Sequence, residues 1–226
     1  MDSVPCDEHE GQPRTAPHTP ALFLADSPGL DFLNSVATPV DTEVDRIEDG
    51  AGLLAWLEQA ELVSPDTLAS LRERAMPGEF DTVAARARSL REEFRKFVLE
   101  HKGRPLGAES QAELAPLNRL LARDEAFLQL DFVEQHNGPA LQLRRARRRR
   151  SPDALLHPIG EALVGLLAEE DFSDVKACEG PACTLMFADH TRGRVRRWCS
   201  MAICGNRVKQ TAHRNRFKQI RGTAGA

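Results

Sequence analysis

Four cysteines near the C-terminus constrain this chain more than any other feature of its sequence. Cys178 and Cys183 form one C-x4-C pair, Cys199 and Cys204 form a second, and fifteen residues separate the two pairs. Two such pairs supply the four soft ligands that a tetrahedral structural zinc ion requires. Four buried free thiols are an alternative, but so charged a segment has little core to hold them. We therefore predict one structural zinc ion, with an iron–sulfur cluster as a further interpretation.

A shell of four cysteines also bears on catalysis. Catalytic zinc keeps one position open for water, and four thiolates leave none. The sequence contains no P-loop, G-x-S-x-G, H-E-x-x-H or dinucleotide-binding motif. The polar residues outside the cysteine segment that could serve an active site are expected to be caps or surface residues: Asp31, Asn34, His101, His136 and His157. We predict no catalytic residues and no enzyme activity, and keep an enzyme site in the N-terminal part as the third hypothesis.

The residues around the cysteines predict a knuckle, a β-hairpin and a helix, a treble-clef-like arrangement. Gly180-Pro181 favours a tight turn inside the first pair. The run from Leu185 to Phe187 predicts a strand, Thr191 to Gly193 a turn, and Arg197-Trp198 the return strand. A polar helix is expected after Gly205.

Charge is distributed unevenly along the chain, although the net charge is only −4. Residues 176–226 contain eleven Lys and Arg against two acids, a balance of +9, so the remaining residues carry −13. No acid follows Asp189. A segment with one sign of charge favours a polyanionic partner over a merely solvated surface, an acidic protein or a membrane.

On a helical wheel, the segment from Arg207 to Arg221 gathers four cations within an arc of roughly 60°. Phosphate contacts from such a helix would supply affinity and salt dependence. Asn206 and Gln210 could contact base edges. The candidate nucleic-acid-binding residues are the cations of the finger with these two polar residues: Arg192, Arg194, Arg196, Arg197, Asn206, Arg207, Lys209, Gln210, Arg214, Lys218 and Arg221.

Apolar periodicity predicts a mainly α-helical N-terminal domain with one short β-hairpin. Helices are expected over 52–60, from Ser64-Pro65, and over 82–101, 109–123 and 152–169. Leu128, Leu130 and Phe132 alternate before Asn137-Gly138, as Leu141 and Leu143 do after it, which predicts the hairpin.

Composition and pattern together divide the chain into four parts. A disordered tail is expected over 1–20, a helical domain over 21–172, the zinc module over 175–221 and a short tail over 222–226. We expect the helical domain to fold without residues 176–226. The run RRARRRR at 144–150 could extend the anion-binding surface or pair with the acidic domain, and the sequence favours neither.

Nothing in the sequence indicates a membrane protein. No apolar run reaches eighteen residues, and the acidic, Pro-rich N-terminus lacks the apolar core of a signal peptide. We expect a cytoplasmic protein, in which clustered thiols stay reduced and favour a metal over disulfides.

The stretch WCSMAICGNRVKQTAHRNRF resembles the CGNR-type zinc fingers, with their tetrapeptide at 204–207. Cys178, Cys183 and the pair Trp198-Cys199 match the same pattern, over roughly residues 175–221. The region 22–167, with GLDFLNSV and LLAWLEQAELV, resembles the ABATE domain that commonly precedes this finger. The resemblance implies a bacterial, stress-responsive transcription regulator with a zinc-dependent DNA-binding end. The RRARRRR run has no place in that pattern.

The leading hypothesis is therefore a zinc-dependent DNA-binding transcription regulator. Its helical domain would sense a small-molecule effector or form a homodimer. The second hypothesis is an adaptor that binds RNA or another polyanion with the same basic end. Trp198 and Phe217 are too few for a base-stacking platform, which favours duplex DNA.

Overall fold

The computed structural model describes residues 19–39 and 41–223, with side chains described as far as Arg214. Most of the predicted tail at 1–20, and residues 224–226 of the predicted tail at 222–226, lie outside the described residues. The described part is mainly helical, as predicted. Its α-helices are α1 (Pro28–Leu33), α2 (Gly50–Gln59), α3 (Pro65–Arg74), α4 (Glu79–His101), α5 (Ala115–Leu121), α6 (Leu156–Glu169) and α7 (Asn206–Thr223).

In the part of the chain that the structure describes, the strands form antiparallel pairs. These are β1 (Val36–Ala37) with β2 (Val44–Asp45), β3 (Ala126–Gln135) with β4 (Gly138–Arg147), and β5 (Val175–Ala177) with β6 (Met186–Ala188). Short 3₁₀ turns at Ala108–Leu114, Pro152–Leu155 and Phe172–Asp174 precede α5, α6 and β5. A π-helical turn at Met201–Gly205 leads into α7.

Local capping signals fix the starts of two helices. The Asp49 carboxylate accepts a hydrogen bond from the Gly52 N–H at 2.7 Å and caps α2. Ser64 caps α3 through the Thr67 N–H, and Pro65 occupies the first helical position, where a missing N–H costs little. The predicted start of α3 is therefore confirmed.

The core of the N-terminal domain is built around α1. Leu30, Phe32 and Leu33 are fully buried, and α1 packs against α4 and α6. Gly29 permits the close approach to α6, because a side chain there would lie 2.6 Å from the carbonyl oxygen of Ala162. Six apolar residues repeat at helical spacing along α4; Leu90 is half-buried, and the other five are buried in this core: Val83, Ala87, Phe94, Phe97 and Val98.

The hairpin β3–β4 is longer than its apolar residues predict and includes the first part of the arginine run. Its two-residue loop is His136-Asn137, with Gln135 opposite Gly138. Three arginines of the run form ion pairs with acids of the N-terminal domain: Arg144 with Asp131, Arg147 with Asp124 and Glu161, and Arg150 with Glu125. Of the two interpretations of RRARRRR, the structure favours pairing with the acidic domain.

The C-terminal module packs directly on α1 and the segment before it. The Asn34 amide donates to the Met186 carbonyl at 2.8 Å and accepts from the Met186 N–H at 3.0 Å, so it closes the edge of β6. The Ala188 N–H donates to the Ala25 carbonyl at 2.8 Å. Phe187 and Leu185 belong to the same apolar cluster as α1. This shared core argues against the expectation that the helical domain folds fully without the module.

Asn34→Ala tests this joint. The substitution removes two buried hydrogen bonds and leaves the Met186 N–H and carbonyl without partners. We expect the free energy of unfolding in urea to fall by about 2 kcal/mol. The matched control is Asn118→Ala, because Asn118 is exposed on α5 and should change stability by less than about 0.5 kcal/mol. Equal stability of the two variants would show that the joint contributes nothing.

Candidate metal centre and nucleic-acid interface

The four predicted ligands converge on one point. The sulfur atoms of Cys178, Cys183, Cys199 and Cys204 all lie within 4.8 Å of one another. The Cys183 and Cys199 sulfurs are 3.8 Å apart, and the Cys199 and Cys204 sulfurs 3.7 Å. A tetrahedron with Zn–S bonds of about 2.3 Å needs sulfurs roughly 3.8 Å apart, so the cysteines fit a single zinc ion. A cluster with several irons would hold its thiolates farther apart.

The first two ligands lie on the knuckle between β5 and β6. The Cys178 N–H donates to the Leu185 carbonyl at 2.9 Å, and the Cys183 N–H to the Gly180 carbonyl at 3.0 Å. The Gly180 N–H points back to the Cys178 sulfur at 3.4 Å. A side chain at Gly180 would lie 2.9 Å from the Cys204 sulfur, so only glycine fits inside the knuckle.

Of the other two ligands, Cys199 lies two residues before the π-helical turn and Cys204 lies within it. The Ser200 hydroxyl accepts from the N–H of Ala202 at 3.1 Å and also from that of Ile203, which fixes the turn behind Cys199. Cys204 is therefore placed two residues before α7 begins. A side chain at Gly205 would lie 2.6 Å from the Met201 sulfur, so the flexible Met201 side chain would have to move to admit one.

The four thiols can all ionise together only if a cation lies among them. Hydrogen bonds from Cys183 and Cys199 lower the pKa of Cys178 to about 2. Hydrogen bonding to Cys178 in turn raises the pKa of Cys183 to about 12, and the pKa values of Cys199 and Cys204 are raised as well. Without a metal, one thiolate suppresses ionisation of its neighbours. A bound zinc ion would offset the repulsion among four thiolates and contribute folding free energy to the module.

The predicted return strand at Arg197-Trp198 is wrong. Strand β6 pairs instead with β5, in the register Val175 opposite Ala188 and Lys176 opposite Phe187. The physical reason is that the Arg196 N–H donates to the Asp189 carboxylate at 2.8 Å, so the segment is held by a side chain instead of a ladder.

Asp189 is the residue that sequence reasoning missed. Its side chain is fully buried and accepts from Lys176 at 2.7 Å and from the Thr191 hydroxyl at 2.6 Å. Burial acts to raise the pKa of Asp189. These hydrogen bonds and the one from the Arg196 N–H outweigh burial and lower that pKa well below its usual value of 3.8. The available signal was its position as the last acid before a wholly basic segment.

The predicted loop arginines differ in what they contact. Arg196 is largely inside: it lies 4.2 Å from the centre of the Phe187 ring, donates to the Leu24 carbonyl at 2.7 Å and pairs with Asp26. Its guanidinium group therefore joins the module to the N-terminal domain. Arg194 pairs with Asp174 at 2.9 Å.

Two loop arginines are more accessible. Arg197 pairs with Glu179, and both side chains are about half exposed. Arg192 is exposed and forms no ion pair among the described side chains. Of the four predicted loop arginines, Arg196 thus joins the module to the N-terminal domain and Arg194 pairs with Asp174. The other two, Arg192 and Arg197, face solvent.

Helix α7 extends from the metal centre into solvent. Asn206, Lys209, Gln210 and Arg214 are exposed, and Arg207 is half-buried at the helix start. On the side of α7 away from the cations, Val208 is half-buried and Ala212 is exposed. Lys218 and Arg221 belong to the same helix, but their side chains lie outside the described set.

Protein-family models match both halves of this arrangement. The ABATE model, described as “putative stress-induced transcription regulator”, matches residues 26–170, more than half of the chain. This chain belongs to the ABATE family. A second model, the CGNR zinc finger, matches residues 175–217, which include all four cysteines. A search of the curated proteins finds no match.

The family matches bear on the broader class of this ABATE protein. The two models are described as a regulator and a zinc finger, and neither description names an enzyme. Asp31, expected to be a cap or surface residue, is buried; its carboxylate accepts hydrogen bonds from the N–H groups of Leu24 and Ala25, both at 3.0 Å, and so holds the turn before α1. Among the described residues, no helix is long and apolar enough to cross a membrane.

Replacing single cysteines tests the metal site of the CGNR finger. Cys178→Ser and Cys204→Ser should each lose most bound zinc, because a hydroxyl is a far poorer ligand than a thiolate. Zinc per chain is measured by atomic absorption after dialysis. Cys6→Ser is the matched control, since Cys6 lies outside both C-x4-C pairs and should leave one zinc per chain. Full zinc retention in both test variants would contradict this ligand set.

Proposed function

We propose that this ABATE protein is a DNA-binding transcription regulator whose CGNR finger presents α7 to the duplex. The observation that carries the proposal is the exposed basic start of α7 next to a metal centre that fixes its direction. Lys209 and Arg214 are exposed, and they form no ion pair among the described side chains. Their charge is therefore available to attract phosphate.

The dimensions of α7 suit a DNA groove. Its eighteen residues span about 27 Å, and the major groove of B-DNA admits one α-helix. At about 100° per residue, Arg207, Gln210 and Arg214 share one side of the helix. Asn206 and Gln210 offer amide groups for contact with base edges, while the cations suit phosphates.

The proposed contact surface is narrower than the set of candidates from the sequence. Arg196 is left out because its guanidinium group binds Leu24 and Asp26, and Arg194 is left out because it pairs with Asp174. Arg197 is kept, since an exposed pair with Glu179 is weak and can exchange for a phosphate. The proposed surface comprises Arg192, Arg197, Asn206, Arg207, Lys209, Gln210, Arg214, Lys218 and Arg221.

Arg207→Ala with Arg214→Ala tests the surface. Losing two phosphate contacts should weaken duplex binding and reduce the slope of log affinity against log salt by about 2. Binding is measured by fluorescence anisotropy with duplex DNA at several salt concentrations. The control is Arg72→Ala with Arg119→Ala, which removes the same charge from exposed sites on α3 and α5.

Two outcomes of that titration would contradict the proposal. Equal losses in the test and control variants would mean that net charge alone drives binding. Tighter binding to RNA or single-stranded DNA than to the duplex would favour the polyanion-binding adaptor. Trp198 is half-buried, and the guanidinium carbon of Arg197 lies over it, 5.1 Å from the centre of the Trp198 ring. The covered ring argues against base stacking at Trp198.

We also propose that the helical domain senses an anionic small molecule. A cavity of about 240 Å³ opens at the base of the hairpin β3–β4. Four arginines border it, and two are neutralised: Arg86 by Asp153 and Arg150 by Glu125. Arg123 forms no ion pair among the described residues. The cavity therefore keeps an excess of positive charge that suits a phosphate or dicarboxylate.

Inorganic phosphate is a direct probe of this cavity. At about ten times its dissociation constant it should raise the melting temperature by roughly 3–5 °C. Arg123→Ala should abolish most of the rise. Arg119→Ala is the matched control, because Arg119 lies one turn earlier, exposed and outside the cavity. An equal rise in both variants would place phosphate elsewhere and contradict this assignment.

A further inference from the structure

The hairpin β3–β4 exposes an apolar face. Directly opposed residues of an antiparallel pair point to the same side, so Leu130 with Leu143 and Phe132 with Leu141 share one face. Leu128 lies on that face one pair nearer the base. These five side chains are 58% to 75% exposed. The apolar alternation that predicts the hairpin thus leads to a face that no described residue of the chain covers.

The opposite face of the hairpin is polar in its middle, between the pairs Phe127–Ala146 and Val133–Ala140. It carries Gln129, Asp131, Gln142 and Arg144, and the Asp131–Arg144 pair joins the two strands at 2.9 Å. Exposure to solvent is therefore favourable for the face with Asp131 and Arg144 and unfavourable for the apolar face. A two-stranded hairpin with an uncovered apolar face is at best marginally stable in water, and such patches commonly mark interaction sites.

We propose that a second copy of this chain covers the apolar face, with the two hairpins packed face to face around a two-fold axis. Five large apolar residues at these exposures present roughly 600 Å² per chain, taking about 200 Å² for each when fully exposed. Two copies would bury about 1,200 Å², which reaches the lower limit of a specific protein interface. An isologous contact of this kind closes on itself and stops at the dimer.

Charge at the two ends of the face selects a second copy in one orientation. Arg145 lies opposite Leu128 near the base, and Glu134 lies on the same face near the tip. Neither forms an ion pair with any described residue. Leu128, which lies opposite Arg145, and Glu134 are each three residues from Asp131. A two-fold axis that crosses the strands at the level of Asp131 therefore brings Arg145 of each copy close to Glu134 of the other. A lipid surface or an unrelated apolar ligand would not account for this match.

The dimer extends the proposed function and does not depend on it. It rests on β3–β4 alone, and its mass is measured without nucleic acid. Two fingers held by one dimer would suit a pair of DNA half-sites. Loss of DNA binding with the dimer intact would count against α7, whereas a monomeric protein that binds DNA would count against the hairpin contact.

Sedimentation velocity of the zinc-loaded full chain tests the dimer. We expect about twice the chain mass of 25.0 kDa at micromolar concentrations. Leu130→Glu with Phe132→Glu should raise the dissociation constant by about a hundredfold or more, since both lie at the centre of the contact. The control is Val133→Glu, at an exposed position on the polar face, which should remain dimeric.

Charge reversal tests the orientation with surface substitutions that the monomer tolerates. Glu134→Arg and Arg145→Glu should each weaken the dimer, because like charges then meet. The double variant, and an equal mixture of the two single variants, should both recover it. Circular dichroism and zinc content confirm that each variant is folded. A monomeric wild type, a dimer insensitive to Leu130→Glu with Phe132→Glu, or no recovery on charge exchange would overturn the proposal.

Discussion

Four thiolate sulfur atoms within 4.8 Å of one another repel each other unless a cation lies between them, and the C-terminal module is organised around such a site. A zinc ion with four thiolates keeps a net charge of about −2. Backbone N–H groups of Gly180 and Cys199 point at the Cys178 sulfur and spread part of this charge. Because Cys204 lies two residues before α7, the metal fixes where that helix starts and which way it leaves.

The finger and the ABATE domain are joined by hydrogen bonds, an ion pair and a shared apolar core. Asn34 satisfies both backbone groups of Met186, and Arg196 reaches back to Leu24 and Asp26. Phe187 lies under that arginine and within the common core. The finger determines the direction of α7, and contacts with α1 and the segment before it hold the finger in place. A movement of α1 would therefore be transmitted to the basic helix through these contacts.

Sequence reasoning succeeded where the cause is local. The cysteine spacing, the Ser64-Pro65 helix start and the period of α4 each depend on residues a few positions apart. The strands β1, β2, β5 and β6 have two or three residues each, too few to show a period in the sequence. Contacts between distant residues could not be predicted either. Arg192 and Arg196 look alike in sequence, yet only Arg196 meets acceptors some 170 residues away. Apolar alternation predicted the hairpin but not that its face would stay open.

The density of arginine in a sequence does not indicate where positive charge remains available. The RRARRRR run is the densest in the chain, but Arg144, Arg147 and Arg150 are matched by carboxylates of the same domain. Arg147 is held so firmly by Asp124 and Glu161 that its pKa is raised well above the usual value. The cations of α7 are sparser, yet the sequence around them contains no acid. The exposed cations Lys209 and Arg214 of α7 form no ion pair among the described side chains, so charge that can attract a polyanion lies at the finger as well as at the unpaired arginines of the run.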